Sequence, residues 1–193
     1  MEHEHLQKIS RKEVSFVAVL AVVVSVLMFV VSSMVEPWIA LLVSLALLVV
    51  ALNLTVYICK KSGVVLLLFV FVSVLTFVLE DVGVVGWKKV VTFLLAALIF
   101  ELVFLYLKAH LHAVPLDMII GSTLSAGSIP LISAFLLSVH LASSFPLELL
   151  NLILVAFAVG LASAVITFLL WLHIQRTKPI LKLESFLNDL EKS

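Results

Sequence analysis

Cysteine is nearly absent from this chain: Cys59 is the single one in 193 residues. An internal disulfide, a CxxC redox pair and a cysteine-based zinc cluster are thereby excluded. Charge is scarce as well. Only 12% of the residues are Asp, Glu, Lys or Arg, and the formal net charge is zero. Without a basic field, no nucleic-acid partner is expected, and there is no acidic tail. Long polar stretches are also missing between the apolar runs, so there is no room for a soluble catalytic domain. Walker A, Rossmann and nucleophile-elbow patterns are absent, as are HExxH and a paired acid motif. Accordingly, the sequence predicts no cofactor, no metal site and no catalytic set.

What the chain has in quantity is apolar side chain, at 64% of residues. A soluble domain carries roughly 45–50%. No soluble fold hides so much apolar surface, so the expected solvent, and first partner, is a lipid bilayer. A transmembrane helix needs about 20 mostly apolar residues. Six segments approach that length, at about 14–33, 38–59, 64–79, 87–107, 116–140 and 147–174. The expected fold is all-α: a polytopic bundle of six transmembrane helices over 14–174. A polar tail, 1–13, precedes it, and a tail over 175–193 follows it. The apolar run after residue 13 is too long for a signal peptide, which predicts a retained first span. Glu36-Pro37, Lys60-Lys61-Ser62-Gly63, Val82–Gly86, Pro115 and Ser144-Phe145-Pro146 mark the turns.

Orientation follows from the bases. With the N-terminus inside, ten of them lie inside: Lys8, Arg11, Lys12, Lys60, Lys61, Lys108, Arg176, Lys178, Lys182 and Lys192. Only Lys88 and Lys89 lie outside. This asymmetry predicts that both termini are cytoplasmic, and with no other targeting signal visible the expected location is the cell membrane. In the C-terminal tail, Ile180, Leu183, Phe186, Leu187 and Leu190 recur at helical spacing. That pattern predicts an amphipathic helix over 180–191, lying on the bilayer or docking a partner subunit.

Two features are candidates for a site. Glu101 is the one carboxylate well inside a span, six residues before Leu107 and so roughly 9 Å along the helix. An ionisable group there is costly and faces the bundle interior or a water cavity. The fifth span contains Gly121-Ser122-Thr123-Leu124-Ser125-Ala126-Gly127-Ser128-Ile129-Pro130, an island of small and polar residues. Counted from Leu116, Ser122 and Ser125 fall near the depth of Glu101. The predicted substrate-binding set is Glu101, Ser122, Thr123, Ser125 and Ser128, between spans four and five. The packing account of the same residues is close helix packing and interhelical hydrogen bonding with a kink at Pro130, and the binding account is a half-broken fifth span that exposes backbone groups to a ligand.

The other polar residues invite plainer accounts. Ala156, Gly160 and Ala164 form a small-residue face expected to be a packing seam. Glu80, Asp81, Lys88 and Lys89 are expected to form a solvated ion-pair cluster at the second outer turn. His110, His112, His173 and His140 are read as interfacial. Cys59 reads as a small interfacial residue, and a reactive thiol is the alternative. The sequon Asn53-Leu54-Thr55 falls inside a span and is discounted as a glycan acceptor.

Three functions are compatible with this pattern. The first is small-solute or ion transport, or a membrane-complex subunit with a polar site. The second is an intramembrane enzyme on a lipid or peptide, which needs a second acid or base from Lys108, His112 or Asp117. The third is a purely structural membrane subunit.

Overall fold

The computed structural model describes residues 9–107, 110–111, 114–138, 147–178 and 180–183. These form a helical bundle. Its helices are α1 (Arg11–Met34), α2 (Pro37–Cys59), α3 (Val64–Leu75), α4 (Trp87–Leu107), α5 (Leu116–Ser138) and α6 (Leu147–Ile174). A two-residue antiparallel ladder, β1 (His110–Leu111) with β2 (Val114–Pro115), closes the turn between α4 and α5. Residues 178 and 180–183 are helical, and Ile180 and Leu183 pack against the core. The rest of the expected amphipathic helix lies outside the described residues, as do His112, His140 and the 142–146 turn.

Local chemistry sets the helix ends. Ser10 and Glu13 form a reciprocal capping box: the Glu13 amide donates to Ser10 Oγ at 3.2 Å, and the Ser10 amide donates to Glu13 Oε2 at 2.6 Å. That cap carries α1 three residues earlier than the apolar run alone predicts. Pro37 opens α2 at a position where its missing N–H costs nothing. Lys60, in the left-handed region at φ 54°, ends it.

Five helices are long and apolar enough to cross a membrane; α3, with 12 residues, is not. At 1.5 Å per residue α3 is about 18 Å long, against a hydrocarbon core of about 30 Å. The expected third span over 64–79 is therefore shorter than predicted. Its last residues form a turn, because Thr76 closes the helix and the chain folds back so that the Gly86 amide donates to Phe77 O at 2.8 Å.

Helix α2 is the centre of the bundle, in contact with α1, α3, α5 and α6. It is apolar on every side, as a helix surrounded by protein must be. Val17, Ala21 and Met28 of α1, Leu45, Leu48 and Leu52 of α2, and Val65, Leu68 and Phe69 of α3 are buried in one core. Phe93, Ala97 and Phe100 of α4 join them, with Phe69 set edge-on to Phe93 at 5.6 Å. Outside, α1 exposes Val19, Val22, Val26 and Phe29, and α6 exposes Leu150, Leu154, Leu161 and Leu169. Such apolar surface is unstable in water and suits a lipid surround. These features are those of a multi-pass helical membrane protein.

Candidate functional site

Helix α3 begins at Gly63, in the left-handed region at φ 84°, which has no side chain with which to cap its own helix. The first amides of a helix need acceptors from elsewhere. Glu101 of α4 supplies them: Gly63 N–H donates to Glu101 Oε1 at 2.8 Å, and the Val65 and Leu66 amides also bond to this carboxylate. A negative group at this end also matches the helix dipole. The α2–α3 turn therefore sits at the level of Glu101, and α4 continues six residues past it, roughly 9 Å. A second carboxylate braces the same turn. Glu13, through its other oxygen, pairs with Lys61 at 3.0 Å and ties the start of α1 to it.

At the far end α4 supplies the complementary charge. Lys89 Nζ donates to the carbonyls of Thr76 at 2.9 Å and Leu79 at 3.2 Å, and it is ion-paired with Asp81. Both side chains are fully buried. This corrects the expected solvated cluster: Glu80 and Lys88 are exposed, but Lys89 and Asp81 are inside. The backbone favours this, because the carbonyls that follow the end of α3, on its cap residue Thr76 and on Leu79 in the turn, offer acceptors to the ammonium. A lysine there is also favoured by the helix dipole. Lys89 and Glu101 are twelve residues apart on α4, matching the twelve residues of α3. One helix thus clamps both ends of its short neighbour.

The polar island on α5 lies beside α4 as predicted from depth. A Cβ on Gly121 would sit 3.0 Å from the Phe100 ring, so the residue next to Glu101 faces the start of the island. The side chains point elsewhere, however. Ser122 Oγ donates to Met118 O at 2.7 Å, Thr123 Oγ1 to Ile119 O at 2.7 Å, and Ser128 Oγ to Ser125 O at 2.7 Å. Ser125 reaches across to α4, donating to Ala96 O at 2.9 Å. Glu101 thus turns to α3, while each of these hydroxyls donates to a backbone carbonyl. Helix α5 runs through Pro130 without interruption. A proline removes one backbone bond, which a packed membrane helix tolerates. The helix that stops short is α3.

Behind the island, α5 meets α6 closely. A Cβ on Gly160 would lie 2.8 Å from Ala126 Cβ and 3.3 Å from Thr123 Cα. Small residues permit this approach. Gly160→Val is expected to lower stability by about 1–3 kcal/mol through overpacking. Thermal unfolding in detergent checks it, and an unchanged midpoint would mean the two backbones have room to part.

Polar side chains on α2 were not singled out from the sequence. Asn53 is 1% exposed, and neither its Nδ2 nor its Oδ1 has a partner. Four residues on, the hydroxyl of Tyr57 is also buried without a partner. The stripe they occupy faces α5 and α6. Val49, one turn before Asn53, clusters with Ala126 and Ala164. Tyr57 stacks on Trp171 of α6 at 5.2 Å with the rings 6° from parallel. Asp117, at the start of α5, is within electrostatic reach of Tyr57 and accepts a hydrogen bond from the Met118 amide at 3.0 Å. The available signal was an amide inside an apolar run with a tyrosine at helical spacing. A sequon reading of Asn53 obscured it.

Among the described residues, no group of three His, Cys, Asp or Glu side chains is arranged to hold a metal. Cys59 is buried and carries a free thiol. Lys108 and His112, two of the three expected partners for a catalytic Glu101, lie outside the described residues. The third, Asp117, lies in the first turn of α5 and accepts from the Met118 amide. No family model, curated protein or solved structure matches the chain.

Proposed function

We propose that this chain is a multi-pass membrane protein that carries a small polar solute across the bilayer, with its site inside the bundle where α2 meets α5 and α6. The observation that carries this reading is Asn53, whose whole amide is buried without a partner in the central helix. Buried polar groups are normally hydrogen-bonded, and a polar residue inside a membrane bundle marks a functional path. In this reading Ser122 borders the site. Glu101 holds α3 to α4, Ser125 ties α5 to α4, and Thr123 and Ser128 bond within α5. The protein sits in the cell membrane with both termini cytoplasmic, in keeping with the distribution of its bases.

Flux through reconstituted liposomes tests the reading. Entry of labelled small solutes above the protein-free rate, reduced at least fivefold in Asn53→Leu, is the expected result. No flux with any ion or neutral solute would overturn it. Reporter fusions test the topology: a C-terminal fusion is expected to be active only when the reporter functions in the cytoplasm.

A structural membrane subunit is the second reading. It is favoured by the fact that Glu101 and the hydroxyls of Ser122, Thr123, Ser125 and Ser128 have protein partners. Its partner would dock on the segment 180–191. Under it, the protein co-purifies with a stable partner and shows no flux alone.

A further inference from the structure

We infer that Asn53 and Tyr57 form the wall of a binding site for a small uncharged solute of the amide class, one that donates and accepts hydrogen bonds together. The inference rests on the solute-carrying reading above and names the chemistry of that site.

The chemistry of the wall comes first. A carboxamide offers two N–H donors and a carbonyl acceptor, and a phenol offers one donor and one acceptor. In Asn53 both ends of the amide are unpartnered, and so is the Tyr57 hydroxyl. The two residues are 1% and 8% exposed, so bulk water does not supply the missing bonds. A self-complementary donor–acceptor pair is matched best by another amide, which returns a carbonyl to the Asn53 N–H and an N–H to its carbonyl.

Position comes second. Asn53 stands between Val49, packed with Ala126 and Ala164, and Tyr57, stacked on Trp171. Helices α2 and α5 are antiparallel, so the residue one turn along from Ala126 at the level of Asn53 is Ser122. On α6, which runs parallel to α2, Thr167 lies between Ala164 and Trp171. Both hydroxyls are buried and donate to their own helices, Ser122 to Met118 O and Thr167 to Ser163 O at 2.6 Å. Their lone pairs remain able to accept. The three helices therefore offer more acceptors than donors to a guest, which suits an N–H-bearing solute.

Charge comes third. Asp117, in the first turn of α5, acts electrostatically on Tyr57 and accepts a hydrogen bond from the Met118 amide at the positive end of that helix. Among the described residues, α2, α5 and α6 carry no Asp, Glu, Lys or Arg within one turn of the level of Asn53. A neutral guest fits, and a carboxylate of the same size does not, because its charge would have no counter-charge in a dry site.

Acetamide and acetate are nearly identical in shape and differ in charge and donors, so they separate the two cases. The full chain in detergent is titrated with acetamide, nicotinamide and acetate while thermal unfolding is followed. The expected result is a saturable rise in midpoint with either amide and none with acetate. Asn53→Leu should raise the half-saturating amide concentration at least tenfold. Tyr57→Phe, which keeps the ring stack, should raise it severalfold and keeps the test alive if Asn53→Leu does not fold. An equal shift with acetate, an undiminished shift in both variants, or no shift with either amide would overturn the inference. The last outcome would mean that the three polar groups hold only water. Liposome flux separates this failure from that of the wider reading. Flux without amide binding overturns the amide site alone, whereas absence of both overturns both.

Discussion

Glu101→Leu should lower the stability of the bundle by about 2–4 kcal/mol, because it strips the acceptor from a helix start that has no cap of its own. The Gly63, Val65 and Leu66 amides that now bond to the carboxylate would have no protein partner. Leucine fills similar space but accepts nothing. Glu101→Gln keeps one acceptor oxygen and should recover a good part of the loss, though not the charge–dipole contribution of about 0.3–1 kcal/mol. Glu101→Asp, one methylene shorter, should fall between glutamine and leucine. Thermal unfolding midpoints in one detergent, read as the order wild type, Gln, Asp, Leu, check the series. If Leu is as stable as wild type, α3 does not depend on its cap. Gly63→Ala provides an independent control. It leaves the carboxylate in place but forces an alanine to φ 84°, so it should destabilise by about 1 kcal/mol through backbone strain alone.

A larger loss is expected for Lys89→Met. Removing one partner of a buried ion pair costs about 3–5 kcal/mol, since the other charge stays behind. Here Asp81 would be left fully buried with neither oxygen bonded, because its Oδ2 already lacks a partner. The Leu79 carbonyl would lose its lysine donor at the same time, while the Thr76 carbonyl would keep the Leu79 amide at 3.0 Å. The companion variant separates the two contributions. Lys89→Met combined with Asp81→Leu removes both charges, and a buried pair replaced by apolar side chains is often neutral. The double variant should therefore be more stable than Lys89→Met alone and fall short of wild type by the hydrogen bonds that Lys89 gives to the Thr76 and Leu79 carbonyls. A double-mutant cycle on unfolding free energies measures this coupling. Additive effects would mean that the two residues do not act as a pair. Arginine is a poor substitute here, because its planar fork does not converge on two carbonyls and one carboxylate as a compact ammonium does.

Together the two clamps explain why a chain with so few charges keeps a lysine and a glutamate within one apolar helix. A helix of about 18 Å cannot reach both surfaces of a 30 Å apolar layer. At least one of its ends lies where water cannot satisfy the backbone, and unsatisfied backbone groups are not tolerated there. Helix α4 brings an acceptor to the N–H end and a donor to the C=O end. The spacing of Glu101 and Lys89 along α4 is the length of α3, so lengthening α3 by a turn would put one clamp out of register.

Much of this was legible in the residues. Apolar run length is a local property, and the start and stop of α2, α4 and α6 follow from it to within a residue. Gly160 and Ala164 announced a close helix contact because small side chains at four-residue spacing have few other uses in a membrane. The depth match between Glu101 and the α5 island was also readable, since helical rise is constant and the two helices are neighbours in sequence. The direction in which a side chain turns was not. Glu101 lies between α3 and α5, and which of them receives the carboxylate depends on where an unsatisfied amide happens to be. Lys89 read as a solvated residue beside Lys88, although the rotation of α4 by one position along the helix sends the first inward and the second out. Asn53 and Tyr57 were lost within a run whose hydropathy is apolar on average.

By itself the sequence determined the solvent, the helical class and the approximate helix limits, because these depend on the apolar content of contiguous segments and on backbone hydrogen bonding within each one. Only the tertiary structure decided that the third segment stops at Leu75, that α4 caps it at both ends, and that α2 turns Asn53 and Tyr57 toward α5 and α6. Those outcomes depend on how helices are rotated against one another. Rotation is settled by pairing each buried polar group with a partner distant in the chain, and no local property of the residues encodes that pairing.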